Sequence, residues 1–325
     1  MLLICGISWG AQAATIIRMG SLAPVNSPWD IHLKKMAAEW KKVSDGAVIL
    51  KIYSGGIMGD EDDMIRKMEL NQLQAAAITG VGITRIFPDF ITFHIPLLME
   101  SFDECRYVLD QMSGRFGEEV EARGYHVLAW SVASWDYYFS RNPVIVPDDL
   151  RRQKLWVWRG DDDGVITYRK NGFQPLALGV MDIMSGLSTG MVDAYLGDPI
   201  STVANQWYTV ADNMCGMPWV PLTGGVVVSR RAWEKIPENI RPGIDAASRK
   251  IAVALQGAII QANEEAVETM KKQGLAVNNV PESARIEWEA LVGSALRDFM
   301  GDGFNETIYN DVTSHVSDYR SRNGK

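Results

Sequence analysis

The sequence predicts an α/β protein of two lobes, joined by strands that cross a hinge and spanned by one long helix. Three observations carry that expectation. Short β-rich runs alternate with helical patterns along most of the chain, as happens where helices pack on mostly parallel sheets. The 325 residues suffice for two domains that each bury a core. One helical stretch, residues 237–273, is too long for a single compact lobe at ~1.5 Å per residue.

The elements follow in order. Ile16 to Ser21 reads as a first strand, and Asn26-Ser27-Pro28-Trp29 opens a helix. Its apolar positions Trp29, Leu33, Met36, Ala37 and Trp40 share one face, while Lys34, Lys35, Lys41 and Lys42 face water. Val48 to Tyr53 is the second strand. After the Gly55-Gly56 turn, Asp60 to Asp63 place acids in the first turn of a helix, where the helix dipole favours them. Gln74 to Ile78 is the next strand. His126 to Trp130, Leu155 to Trp158, Met191 to Leu196 and Gly224 to Ser229 continue the strands. In the long helix, Ile244, Ala247, Ile251, Leu255, Ile259 and Ala262 recur near helical spacing, with Gly257 as the expected place for a bend. No repeat or low-complexity linker divides the chain, so the crossing between lobes falls to strands and to this helix. The expected lobes are discontinuous: residues 14–134 with 222–262, and 135–221 with 263–325, with a ligand cleft between them.

Composition narrows the function. The net charge of −8 comes from 32 basic and 40 acidic residues spread along the chain, with no polybasic run to neutralise phosphates, so nucleic acid is not an expected partner. Residues 1–13, MLLICGISWGAQA, carry no charge and read as a remnant of a secretory signal with Ala11-Gln12-Ala13 before the cleavage point. No later stretch approaches the ~20 apolar residues a membrane helix needs. Cys5 falls in the signal, and Cys105 and Cys215 remain as one disulfide or two buried thiols.

Catalytic signatures are missing. His32, His94, His126 and His315 have no metal-ligand spacing, and the chain has no phosphate-binding glycine loop with its lysine, no G-x-S-x-G and no C-x-x-C. Asp161-Asp162-Asp163 lacks the alternating acids of a calcium loop and reads as a turn capping the next helix. No enzyme, metal or cofactor is expected. Aromatic residues are more telling: Trp130, Trp135, Tyr137, Tyr138, Trp156 and Trp158 crowd the region where a lobe crossing is expected, and Trp207 and Trp219 follow. Each is either core or a stiff cleft wall, and such walls attract cations. Alternation puts Trp156 and Trp158 on one strand face.

Several motifs together resemble a known family. They are SLAPVNSPWD at 21–30, YSGGIMGDEDDMIRKM at 53–68, IPLL at 95–98, PDDLRRQKLWVW at 147–158, LSTGMVDAYLGDP at 187–199 and VVVSRRAWEKIP at 226–237. In this order they resemble the DctP-type solute receptors of tripartite ATP-independent periplasmic (TRAP) transporters. The resemblance implies the two-lobed periplasmic binding protein fold and a periplasmic, monomeric receptor. It also implies delivery of a small organic solute, usually an acid, to TRAP membrane permease subunits driven by an ion gradient. An extracytoplasmic sensor for a membrane kinase is the alternative on the same fold.

The family holds its acid through an arginine after the P-x-D-L segment, suited to a carboxylate by its planar fork. This chain departs from that pattern: Trp156 occupies the matching position, and a second, commonly basic position falls on or near Asp136. Arg159 is the nearest basic side chain, expected either in the cleft or paired with the Asp161 to Asp163 run. By the resemblance the ligand-binding candidates are Leu22, Glu61, Thr79, Val180 and Asp198, joined by Trp135, Asp136, Trp156, Trp158 and Arg159. Asp182 matches a family acid read as structural. Without the arginine, an aromatic or cationic solute is the expected departure from the acid class.

Overall fold

The computed structural model describes residues 14–300 and 305–324, the side chains of residues 297–300 aside. The expected secretory segment lies outside the described residues. In chain order the elements are β1 (Thr15–Ser21), α1 (Pro28–Val43), β2 (Val48–Tyr53), α2 (Glu61–Glu69), β3 (Ala75–Thr79), α3 (Gly80–Ile86), α4 (Phe102–Ala122) and β4 (Tyr125–Ser140). They continue with α5 (Pro147–Arg151), β5 (Lys154–Trp158), α6 (Asp162–Lys170), β6 (Gln174–Leu178), α7 (Ile183–Thr189), β7 (Ala194–Gly197), α8 (Pro199–Ala204) and β8 (Asn213–Cys215). The last are β9 (Val220–Ser229), α9 (Arg230–Trp233), α10 (Arg241–Lys272), β10 (Ala276–Asn278), α11 (Glu282–Met300) and α12 (Glu306–Arg322). No helix among the described residues is long and apolar enough to cross a membrane.

The strands run in the order β2-β1-β3-β9-β4-β7-β5-β6, with β8 on β4 and β10 on β8. The first lobe holds the parallel trio β2, β1 and β3, to which β9 adds antiparallel. The second holds the parallel trio β7, β5 and β6. Two long strands join them. The antiparallel ladder of β4 and β9 runs from Tyr125↔Ser229 to Asp136↔Val220, and β4 then pairs β7 through Tyr137 to Ser140. Both strands extend well past the runs expected from sequence, because His126 to Trp130 and Gly224 to Ser229 are only the segments inside the first lobe's core. Irregularities at Val127/Ala129 and Val132/Ser134 add twist to the crossing. Gly224 is required there: a Cβ would stand 2.3 Å from the Ile78 carbonyl oxygen of the neighbouring strand.

Local chemistry explains the helices that frame the cleft. Ser27 caps α1 by accepting the Asp30 N–H at 3.3 Å, with Pro28 in the first turn. Leu33, Met36 and Trp40 face inward, and Trp40 Nε1 donates to Ser248 Oγ at 2.9 Å, tying α1 to α10. Asp161 caps α6 through the Gly164 N–H at 3.0 Å, in keeping with a structural turn. The long helix serves both lobes: Ile244, Ala247 and Ile251 enter the first lobe's core, Ile259 and Ala266 meet Ile200, and Met270 enters the second. It runs through Gly257 without interruption.

Two sequence expectations need correction. The C-terminal segment does not all join the second lobe, because Ile308, Val312 and Val316 of α12 pack into the first lobe's core with Val108 and Met112 of α4. The end of α10 with Met270, β10 on β8, and α11 through Trp288 do join the second lobe. Cys105 and Cys215 are free buried thiols in separate cores, so the disulfide alternative falls.

Candidate functional site

The cleft forms where carboxyl ends of strands from both lobes face each other, the usual location of ligands in α/β folds. Residues after β1 and β3 supply one wall, the ends of β5, β6 and β7 the other, and β4 with β9 the floor. A cavity of about 480 Å³ lies between them and runs back to α1 and α10, within the range of small-molecule sites. Five tryptophans line it: Trp29, Trp130, Trp156, Trp158 and Trp207. No lysine or arginine does, among the described residues.

Eight of the ten candidate residues border this cavity: Leu22, Glu61, Thr79, Asp136, Trp156, Trp158, Val180 and Asp198. Trp156 is 2% exposed, and its indole N–H donates to the Leu178 carbonyl at 3.0 Å. Its ring tilts against Trp158 with centroids 5.3 Å apart. Trp158 is the more open of the two.

Glu61, 3% exposed, accepts the Thr79 N–H at 2.6 Å and the Thr79 hydroxyl at 2.9 Å, with the Gly82 N–H as a further donor. Burial outweighs these bonds and pushes its carboxyl up to about 7. Thr79 in turn caps α3 through the Val81 N–H at 3.2 Å. Asp198 caps α8 through the Ser201 N–H at 2.8 Å, and burial raises its carboxyl. The Asp136 carboxyl is raised well above its usual range by burial and then by the charge of Asp198.

Trp135 and Arg159 are not on the cavity wall. Trp135 points into the first lobe's core and meets Phe102 edge-on at 5.6 Å, because a bulge in β4 precedes it and strand alternation turns Asp136 to the cavity instead. Arg159 stands at the mouth, 56% exposed, paired with Asp182 at 2.9 Å rather than with Asp161 to Asp163. From the other lobe, Asp60 accepts the Val180 N–H and lies in the field of Arg159. Gly179 makes this junction possible: a Cβ there would stand 2.7 Å from Asp60 Oδ2, 3.0 Å from Arg159 Nη2 and 3.1 Å from Asp182 Oδ2.

Sequence reasoning did not place Trp29, Trp130, Trp207 or His32 on the cavity. Trp130 stacks on Phe90 at 5.5 Å, which made it indistinguishable in sequence from a core residue. Trp29 had a signal, its place in the SLAPVNSPWD segment beside Leu22.

Comparison with known proteins agrees with this architecture. The model of the family described as bacterial extracellular solute-binding protein, family 7 (DctP), matches residues 19–302. A solute-binding protein of Chromohalobacter salexigens is 25% identical over 295 residues, 88% of this chain and 85% of its own. The C4-dicarboxylate-binding periplasmic protein DctP of Rhodobacter capsulatus is 21% identical over 287 residues, covering 85% and 84%. Among solved structures, a TRAP periplasmic solute-binding protein of Actinobacillus succinogenes with bound L-galactonate superposes with TM-score 0.85 at 20% identity, covering 94% of this chain and 100% of the other. One from Pseudomonas putida F1 with bound D-glucuronate gives 0.84 at 18%, covering 93% and 96%. At these identities the superpositions speak for the fold.

Proposed function

Because the chain belongs to the bacterial extracellular solute-binding protein family 7, a family of transporter receptors and not of enzymes, we propose that it is a periplasmic receptor for a TRAP permease. It captures a small organic solute between its lobes and hands it on for uptake driven by an ion gradient. The observation that carries this reading is the cavity of about 480 Å³ enclosed between lobes that two crossing strands and one long helix join. Such a joint permits hinge closure around a ligand.

The solute class departs from that of the named relatives. Proteins of similar fold were solved with sugar acids bound, yet this cavity is lined by tryptophan and carboxylates and offers no arginine fork. An aromatic or cationic solute fits these walls better than a simple carboxylate.

Native mass spectrometry after incubation with a metabolite extract tests the receptor reading. One small molecule should be retained, be released chemically unchanged on unfolding, and contract the particle in small-angle scattering. Release of a chemically altered product, or retention without contraction, sinks it. Vesicles carrying the cognate membrane subunits should then accumulate the solute with an ion gradient and without ATP.

A further inference from the structure

The cavity is unbalanced in sign. Its titratable lining side chains are Glu61, Asp136 and Asp198, with His32 as the single base, whose Nδ1 lies 2.7 Å from the Pro28 carbonyl oxygen. Two of the acids have structural work within the fold. Glu61 ties α2 to Thr79 and the start of α3, and Asp198 caps α8. Asp136 has none. Its main chain belongs to the β4–β9 ladder and its carbonyl accepts the Trp219 N–H at 2.9 Å. Among the described residues its carboxylate accepts no hydrogen bond and pairs with no cation, and the charge it feels most is the like charge of Asp198.

A carboxylate that faces the cavity with neither donor nor counter-charge, set beside a second one, is an arrangement folding alone does not favour. One buried polar atom on the same cavity has no partner: the indole Nε1 of Trp29 is buried without an acceptor. The Asp136 carboxylate calls for a donor on the occupant, and the Trp29 N–H calls for an acceptor elsewhere on it.

We infer that the solute carries a positively charged nitrogen, an ammonium or amidinium, seated at the Asp136 carboxylate with Asp198 as the second negative charge, and an apolar or aromatic body lying between Trp130 and Trp158. The inference rests on reading this cavity as the solute site. The nitrogen supplies the donors and the charge that Asp136 lacks, and the tryptophan faces favour the same sign. An anionic solute would instead meet three acidic side chains with no lysine or arginine beside them. Arg159, the nearest candidate, is engaged with Asp182 outside the cavity.

The test is a binding series on the full chain by thermal shift and calorimetry. The cationic probes are tryptamine, phenethylamine, choline and agmatine; the anionic probes are indole-3-acetate, phenylacetate and D-glucuronate. At least one cation should raise the melting temperature, and no anion should. Asp136→Asn should weaken that cation at least tenfold while leaving the unliganded protein as stable as before or more so. Asp198→Ser, which keeps a capping oxygen and removes the charge, should weaken it severalfold. A panel in which no cation binds overturns the inference, as does stabilisation by an anion or undiminished cation binding in Asp136→Asn. If an anion or a neutral solute binds and closes the lobes, the charge assignment fails and the receptor reading stands; if no solute closes the lobes, the receptor reading fails with it.

Discussion

The Trp156 indole N–H donates to the Leu178 carbonyl at 3.0 Å, bonding one strand of the second lobe to the end of the next. With 2% of its surface exposed, the ring belongs to a core that includes Phe139, Ile183 and Tyr195. From sequence Trp156 is either core or cleft wall, and it is both, since it also borders the cavity. Trp156→Ala should cost about 3–5 kcal/mol of stability, visible as a large fall in melting temperature without any ligand. Trp158→Ala, at the more open ring, should weaken solute binding about tenfold with a much smaller fall. Equal thermal losses in the two variants would remove the distinction.

Glu61 couples stability to pH. Burial holds its carboxyl up at about 7 in the folded protein against 4.5 for an unperturbed glutamate, so between these limits the native state holds a proton that the unfolded chain has released. The contribution is therefore full below pH 4.5 and is lost as pH rises through 7, by roughly 3 kcal/mol in all. Urea midpoints recorded from pH 4 to 8 should show this decline, and Glu61→Gln should flatten it. A variant whose midpoints follow the wild type at every pH would assign the decline elsewhere.

Asp60 and Arg159 meet across the mouth, from opposite lobes. Asp60→Asn and Arg159→Ala should each shift the unliganded protein toward a more open, larger particle and speed solute release. Neither should lower the melting temperature much, since the exposed Arg159–Asp182 pair adds little stability and asparagine keeps an oxygen for the Val180 N–H. Scattering curves and stopped-flow dissociation measure both effects. A slower release in either variant would mean that the junction holds the lobes apart.

Cys105 and Cys215 are buried in different lobes, and burial raises both thiols. Both should resist a thiol reagent in the native state and react on unfolding, and reductant should leave the melting temperature unchanged.

Much of the fold was legible because it is written in local patterns. Val48 to Tyr53 coincides with β2, and the long amphipathic run is one helix from Arg241 to Lys272. The crossing strands were read too short because their outer halves, Ser131 to Ser140 and Val220 to Thr223, pass between lobes, where no single face is apolar. The lobe assignment of α12 depends on Ile308, Val312 and Val316 meeting α4 some 200 positions earlier, a contact no local pattern announces. The site followed the same division. Positions carried by motif reached the cavity wall, whereas Trp135 missed it through a bulge that sequence does not encode visibly.

The unbroken course of α10 across the back of both lobes makes the molecule a book with a stiff spine. In the receptor proposed above the covers would part at the fore-edge, and a solute would enter and leave by that side. A molecule too long for the chamber would prop the covers ajar. Length would then be judged together with charge, since an ill-fitting guest leaves the receptor looking, to any partner that reads its outline, as though nothing had been caught.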